Sequence, residues 1–208
     1  MAFHWLLGFI PGLIWLLMFL YRDRKHPEPK KMIGKVFLWG AAVTILALGV
    51  EAVGFKEFGD NSILYIFLVV APAEEILKWL VFKLRVERNK NYDEPIDAMI
   101  YMITIGLGFA TVENIILIIN ATGNPLDIIV MRFLSATLLH ALASGTVGYF
   151  IGSKKPVVFG LILAIIGHAT YNYFATIGGN SGLAGIAVIL ISMFVLVSWF
   201  FKKLKVNT

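Results

Sequence analysis

Long apolar stretches separated by short polar loops make up almost the whole chain. A helix that crosses a bilayer needs about 20 predominantly apolar residues, and seven stretches approach or exceed that length. The pattern therefore predicts one all-α domain over residues 1–208, a polytopic membrane helix bundle of about seven transmembrane helices. The predicted spans are Phe3–Tyr21, Ile33–Val53, Ser62–Phe82, Ile96–Asn120, Ile128–Gly152, Val157–Thr176 and Leu183–Phe201.

Composition and charge support this class. Hydrophobic residues make up 59% of the chain and charged residues 15%, against about a quarter charged in soluble domains. The loops after the first, third, fifth and seventh spans hold six, four, two and three of the 18 Lys and Arg residues. Cytoplasmic loops carry such an excess, so we expect the amino terminus outside and the carboxyl terminus in the cytoplasm. The net charge of +5 then reflects topology, with the lipid bilayer as partner and no nucleic acid.

Ionisable residues lie at helical spacing inside these apolar spans. Such a side chain costs about 2.5–3.5 kcal/mol in a bilayer core on insertion scales and is a functional-site hypothesis by default. Because four separate spans carry such residues, we predict that they form one site. With their polar and aromatic neighbours they are Glu74, Glu75, Lys78, Phe109, Glu113, Asn114, His140, His168 and Asn172.

The third span offers a general base. Lys78 follows Glu74 by four residues and Glu75 by three, so one glutamate can pair with Lys78 while the other faces the site. We expect Glu74 or Glu75 to activate water for attack on an amide, because the chain has no Cys and no recognisable Ser-His-Asp set. Pro72, just upstream, is expected to open the helix backbone and admit water.

The next three spans supply groups that could assist. Glu113 or His140 would help to orient the attacking water. His168 and Asn172 lie one helical turn apart and would stabilise the oxyanion. The remaining members would support these catalytic groups: they are Lys78, Phe109 and Asn114.

Other polar residues have simpler explanations. Glu51, at the outer end of the second span, is expected to be interfacial. Arg132, one turn into the fifth span, is expected to be a snorkelling or ion-pairing anchor. Glu94 and Asp97 would cap the fourth span. The small residues of Gly106-x-Gly108-x-Ala110 predict close approach of another helix.

Several local motifs occur in order along the chain: PAEEILK at 72–78, YDEPID at 92–97, GLGFATVEN at 106–114, HALASG at 140–145 and HATYN at 168–172. Together they resemble the PrsW family of intramembrane proteases, within a superfamily that includes bacterial CAAX-protease homologues. Glu28-Pro29 in the first loop also looks like the family. Four motifs in sequence, each on a separate predicted span, are more specific than any one alone. The resemblance covers most of the chain and implies a single PrsW-like intramembrane protease domain.

The resemblance implies an endopeptidase of the bacterial cell membrane that cuts a membrane-anchored protein. In bacilli, the named family member makes the first cut in a single-span anti-sigma factor and so starts a stress response. Family knowledge places Glu74, Glu75 and His168 among the essential residues, with Glu113, His140 and Asn172 around them. The chain departs from the common family pattern at two positions, with Asn172 for Asp and Ala98 for Gly. Asn172 could donate to an oxyanion but could not serve as an anionic metal ligand.

Three alternatives accompany this interpretation. Metal-free glutamate catalysis is preferred, but Glu75, His140 and His168 could hold a divalent metal such as zinc, since two His and one Glu make an open zinc site. Buried Glu, Lys and His residues also mark proton-coupled transporters and channels, although the chain shows no inverted repeat of the kind common in transporters. A non-enzymatic membrane scaffold on the same fold is the third possibility.

Overall fold

A computed structural model describes residues 4–24, 26–59 and 62–205, and these residues form helices and connecting turns without a strand. Short 3₁₀ turns, His4–Gly8 and Tyr21–Asp23, flank the first helix, and a π-helical segment, Ile66–Val70, joins the third to the fourth. The helices are α1 (Phe9–Leu20), α2 (Lys30–Phe58), α3 (Ile63–Tyr65), α4 (Ala71–Arg85), α5 (Asp97–Asn120), α6 (Pro125–Leu134), α7 (Ala136–Gly152), α8 (Val157–Ile177) and α9 (Gly179–Lys205).

Six helical stretches of the described chain are long and apolar enough to cross a membrane: His4–Asp23, Lys30–Phe58, Asp97–Asn120, Pro125–Gly152, Val157–Ile177 and Gly179–Leu204. The all-α class and the multi-pass membrane location are therefore confirmed. The predicted third span, Ser62–Phe82, is helical from Ile63 onward but is not one of the six, and it carries Glu74, Glu75 and Lys78 in its interior. Phe3, the predicted start of the first span, lies outside the described residues.

Helix α5 is the centre of the bundle, with every residue from Asp97 to Thr111 buried. Two glycines allow this density of packing. A Cβ at Gly108 would lie 2.1 Å from the Phe37 carbonyl oxygen of α2, and a Cβ at Gly106 would lie 2.7 Å from the His140 carbonyl oxygen of α7. The predicted close approach along Gly106-x-Gly108 is thus confirmed, and it brings α7, which carries His140, against α5.

Two backbone irregularities adjoin the site. The predicted fifth span is not one continuous helix, because α6 and α7 meet at Ser135, where φ is −127° and ψ is −91°. The π-helical segment Ile66–Val70 ends just before Pro72, which lacks the N–H of a regular helical turn. The predicted opening of the backbone near Pro72 thus takes the form of a wider helical turn upstream of Glu74 and Glu75.

Candidate functional site

The Lys78 ammonium lies at the centre of a buried polar cluster formed by α4 and α7. Its Nζ donates hydrogen bonds to Glu74 Oε2 at 3.1 Å and to Glu75 Oε1 at 2.8 Å, and it lies 2.9 Å from His140 Nδ1. The Lys78 side chain is fully buried, and Glu74, Glu75 and His140 are at most 3% exposed. These three contacts use all three N–H bonds of the ammonium, so the predicted pairing of Lys78 with one glutamate extends to both.

The hydrogen bonds assign the imidazole protons. Because Lys78 donates to His140 Nδ1, that nitrogen is the acceptor, and His140 Nε2–H donates to Glu113 Oε2 at 2.8 Å. His168 Nδ1 lies 2.8 Å from Glu75 Oε1 and donates to it. His168 Nε2 is 3.9 Å from Glu74 Oε2, which is beyond hydrogen-bond distance, so this nitrogen is left for another partner.

Glu113 extends the cluster through an ion pair with Arg132. The Arg132 guanidinium donates to Glu113 Oε2 at 2.8 Å, and its Nε donates to Asn114 Oδ1. The Asn114 amide in turn donates to Thr137 Oγ1 at 3.1 Å and to the Gly8 carbonyl oxygen at 3.4 Å. Of the two roles expected for Arg132, the structure gives the ion-pairing one, and fully buried Asn114 fixes its orientation.

Phe109 forms an aromatic wall of the cluster. Lys78 Nζ lies 4.2 Å from the centroid of the Phe109 ring, within the range of a cation–π interaction. The same ring lies 5.5 Å from the His140 ring, and the two histidine rings are perpendicular with centroids 5.0 Å apart. Phe109 therefore shields the ammonium and restricts the orientation of His140.

A cavity of about 460 Å³ adjoins the cluster and reaches Asn120, the last residue of α5. Glu74 lines this cavity and Glu75 does not, so a molecule in the cavity can reach Glu74 but not Glu75. Asn172 also lines it, one turn from His168, but makes no hydrogen bond to the cluster within residues 4–24, 26–59 and 62–205. The polar and charged side chains lining the cavity are Glu51, Glu74, Glu113, Asn120, Arg132, His140, His168, Tyr171 and Asn172.

Glu51 lies at the site although sequence reasoning assigned it no part there. Its half-buried side chain, expected at the membrane interface, lines the same cavity as Glu74 and Glu113. Its backbone carbonyl accepts a hydrogen bond from the Tyr65 hydroxyl at 3.1 Å. Only the long-range packing of α2 against the rest of the bundle places Glu51 here, so no local pattern in the sequence could have indicated it.

The charges of the cluster and its donors fit a bound cation. Glu74, Glu75 and Glu113 oppose Lys78 and Arg132, so with neutral histidines the group lacks one positive charge. One atom from each of Glu74, Glu75, His140 and His168 lies within 4.8 Å of the other three, and carboxylate and imidazole are ligands that zinc prefers. Glu75 Oε2 is buried without a hydrogen-bond partner in the described part of the chain. Lys78 hydrogen-bonds three of these four residues, so a cation and the ammonium would compete for them.

A helical membrane protein that buries carboxylates and imidazoles beside a polar cavity has a site suited to hydrolysis within the membrane. A family model described as "PrsW family intramembrane metalloprotease" matches residues 28–200. The chain therefore belongs to the PrsW family and is a protease of the cell membrane, as its motifs predicted.

Curated relatives agree with this family. The chain is 26% identical to "Protease PrsW" of Oceanobacillus iheyensis over 97% of this chain and 95% of the relative. It is 28% identical to the protein of the same name from Bacillus subtilis over 83% of each chain. The Geobacillus kaustophilus protein is 30% identical over 71% of this chain and 65% of its own. No solved structure gives a significant match.

Proposed function

We propose that this protease cuts a single-span membrane-anchored protein, and that an anti-sigma factor of envelope-stress signalling is its substrate class by resemblance to the family. The observation that carries the proposal is the meeting of Glu74, His140 and His168 from three helices at one cavity. Water and an extended peptide must both reach the reacting groups, and the cavity offers such an approach between the helices.

We infer that Glu74 is the general base. It lines the cavity, whereas Glu75 is fully buried behind it and binds Lys78 and His168. A general base must lie within hydrogen-bond reach of the proton that it removes. Glu75 is then a positioning residue, because its carboxylate holds the Lys78 ammonium and the His168 ring in place.

The reaction proceeds by direct hydrolysis. Glu74 takes a proton from water, and the resulting hydroxide adds to the carbon of the scissile amide. The Asn172 amide donates to the oxyanion, and one such donor is worth about 2.7–4 kcal/mol of barrier. His168 joins it only as an imidazolium, because the single N–H of its neutral form is donated to Glu75. Glu74 then returns the proton to the leaving nitrogen, and the C–N bond breaks to give an acid and an amine.

A divalent metal fits beside this base. Glu75, His140 and His168 would hold it, with His140 giving up its hydrogen bond from the Lys78 ammonium, and Glu74 would be left for proton transfer. When bound, such a cation would polarise the carbonyl and favour ionisation of its water. Elemental analysis of the purified protein tests the assignment: stoichiometric metal in the wild type and in exposed Glu87→Gln, but not in Glu75→Gln, supports it, and an active wild type without metal rejects it.

The cut would fall in the extracytoplasmic half of the membrane. The cavity runs toward the carboxyl ends of α2, α5 and α8, and the Lys- and Arg-rich loops lie at the opposite end of these helices. The positive-inside rule places those loops in the cytoplasm. This sidedness assumes seven spans with the amino terminus outside, and therefore that Ile63–Arg85 also crosses the membrane.

A census of new protein amino termini would test the proposed function. Membranes are compared from cells that express wild type, Glu74→Gln or the exposed control Glu87→Gln at matched abundance. We expect a single-span protein to acquire a new amino terminus with wild type and Glu87→Gln only. If no terminus depends on Glu74 under growth or envelope stress, the proposed reaction is wrong.

A further inference from the structure

A second cavity, of about 570 Å³, lies between the start of α2, the end of α4 and the loop that follows α4. Basic side chains dominate its lining, together with the amide-bearing residues Asn89 and Asn91. No Asp or Glu of residues 4–24, 26–59 and 62–205 lines it. The basic lining residues are Lys31, Lys35, Arg85, Arg88 and Lys90.

These five cations have no carboxylate partner among the described residues. None of them forms an ion pair with a carboxylate in the part of the chain that the structure describes, whereas neighbouring Lys83 lies 3.6 Å from Glu87. Like charges gathered around one cavity repel each other, and an anion placed among them removes that repulsion. The cavity therefore has the electrostatics of an anion site.

The floor of the cavity is apolar. Met32 and Val36 of α2 are buried there, and the Arg85 guanidinium lies 4.1 Å from the centroid of the Trp39 ring. Trp39 is 41% exposed and Leu38 beside it 68% exposed, so α2 continues from the cavity into a surface suited to acyl chains. A Trp at this level is typical of the membrane interface.

We propose that this cavity binds the phosphate headgroup of an anionic phospholipid, with its acyl chains against the exposed face of α2. Lys and Arg bind phosphate oxygens, and Arg can do so with two parallel hydrogen bonds. Basic pockets between membrane helices recognise anionic headgroups in this way. A lipid seated here would link the ends of α2 and α4, and the proposal does not depend on the proteolytic mechanism.

Native mass spectrometry of the purified full chain tests the site. Phosphatidylglycerol is titrated against phosphatidylcholine with the same acyl chains. The variant Lys31→Gln/Lys35→Gln/Arg88→Gln leaves Arg85 stacked on Trp39, and Lys154→Gln/Lys202→Gln/Lys203→Gln removes the same charge outside the cavity. We expect the cavity variant to bind phosphatidylglycerol about tenfold more weakly or worse, and the control to bind like the wild type.

Three outcomes would overturn the proposal. Equal losses in the cavity and control variants would mean a diffuse surface attraction, and equal binding of both lipids by the wild type would mean no headgroup site. Soluble glycerophosphate, added as a competitor, distinguishes a lipid site from a free-phosphate site. If glycerophosphate displaces phosphatidylglycerol at a concentration equal to that of the lipid, the acyl chains do not contribute to binding. Thermal midpoints of all variants in detergent show whether a loss of binding reflects unfolding.

Discussion

The Lys78 side chain determines the electrostatic balance of the buried cluster. It is fully buried, and its three hydrogen-bond partners, Glu74, Glu75 and His140, come from two helices. Taking an ammonium and two carboxylates out of water is costly, and the cost is offset here because each N–H meets an acceptor. A residue with this many partners sets both the charge and the geometry of the site.

Replacement of Lys78 by Met should therefore be strongly destabilising. Two carboxylates would stay buried without their cation, which costs about 3–5 kcal/mol when one partner of a buried pair is removed. The double variant Lys78→Met/Glu75→Gln should lose less unfolding free energy than the sum of its single variants. The reason is that Glu75→Gln removes one of the two buried carboxylates that Lys78→Met leaves without a cation. Unfolding of the purified proteins in detergent measures this coupling.

Lys83→Met provides the matched control. Lys83 is 49% exposed in its side chain and 3.6 Å from Glu87, so its loss should cost at most about 1 kcal/mol. If Lys78→Met costs no more than Lys83→Met, the buried ammonium does not balance the cluster.

Glu28, in the loop before α2, makes stability depend on pH. Burial raises the pKa of Glu28 from 4.5 to about 8, an effect that the nearby Asp97 increases and the hydrogen bond donated by the Tyr101 hydroxyl reduces. At pH values between these two pKa values, Glu28 is protonated in the folded protein and ionised in the unfolded chain. The stabilisation is complete below the unfolded pKa and disappears as pH rises through about 8.

We expect the thermal midpoint of the wild type to decrease as the pH is raised from about 6 to about 9. The Glu28→Gln variant should show a smaller decrease. Because Glu28 is only half-buried, solvent screening keeps the effect modest. Exposed Glu57→Gln is the control and should follow the wild type. Identical slopes for wild type and Glu28→Gln would rule out Glu28 as the group responsible.

At the scale of elements, glycine contacts set the distance between α2 and α5. A Cβ at Gly108 would meet the Phe37 carbonyl oxygen at 2.1 Å, and backbone cannot move aside as a flexible side chain can. Gly34, which lies on α2 like Phe37, has open space where its Cβ would stand. The two positions therefore separate a packing effect from the general preference of helices for alanine.

Gly108→Ala should destabilise the protein by about 1–3 kcal/mol through overpacking, and should lower cleavage because α2 also carries Glu51 to the cavity. Gly34→Ala should be neutral or stabilising by up to about 1 kcal/mol, as alanine is the better helix former. Unfolding in detergent and cleavage of a substrate found in the amino-terminus census give the two readouts. Equal effects of both substitutions would contradict a tight α2–α5 contact.

Features with local signals in the sequence were predictable, and features set by packing were not. Apolar length predicted the helices, and spacing predicted that Lys78 would pair with one of Glu74 and Glu75, whereas the structure pairs it with both. The break at Ser135 and the cavity position of Glu51 depend on how distant helices pack. Which of Glu74 and Glu75 reaches the cavity could not be predicted either. Adjacent residues point to different sides of a helix, and only the helices packed around α4 decide which side faces the cavity.

For the molecule as a whole, the charged helix α4 decides the topology. If the run Ile63–Arg85 crosses the membrane, the loop before Lys30 and the loop that contains Lys154 lie on one side and Glu57 lies on the other. If it does not cross, Lys154 moves to the side of Glu57. The chain contains no native cysteine, so single cysteines can report each position without background.

We expect Glu57→Cys to react with a membrane-impermeant maleimide in intact cells. Lys30→Cys and Lys154→Cys should react only after permeabilisation, because fixed positive charge resists translocation and holds these loops in the cytoplasm. Denatured samples labelled in parallel control for abundance and for thiol reactivity. Labelling of Lys154→Cys in intact cells would mean that Ile63–Arg85 does not span the bilayer. That outcome would contradict the structure, in which the carboxyl ends of α2 and α5 meet at one cavity and therefore lie on the same side of the membrane.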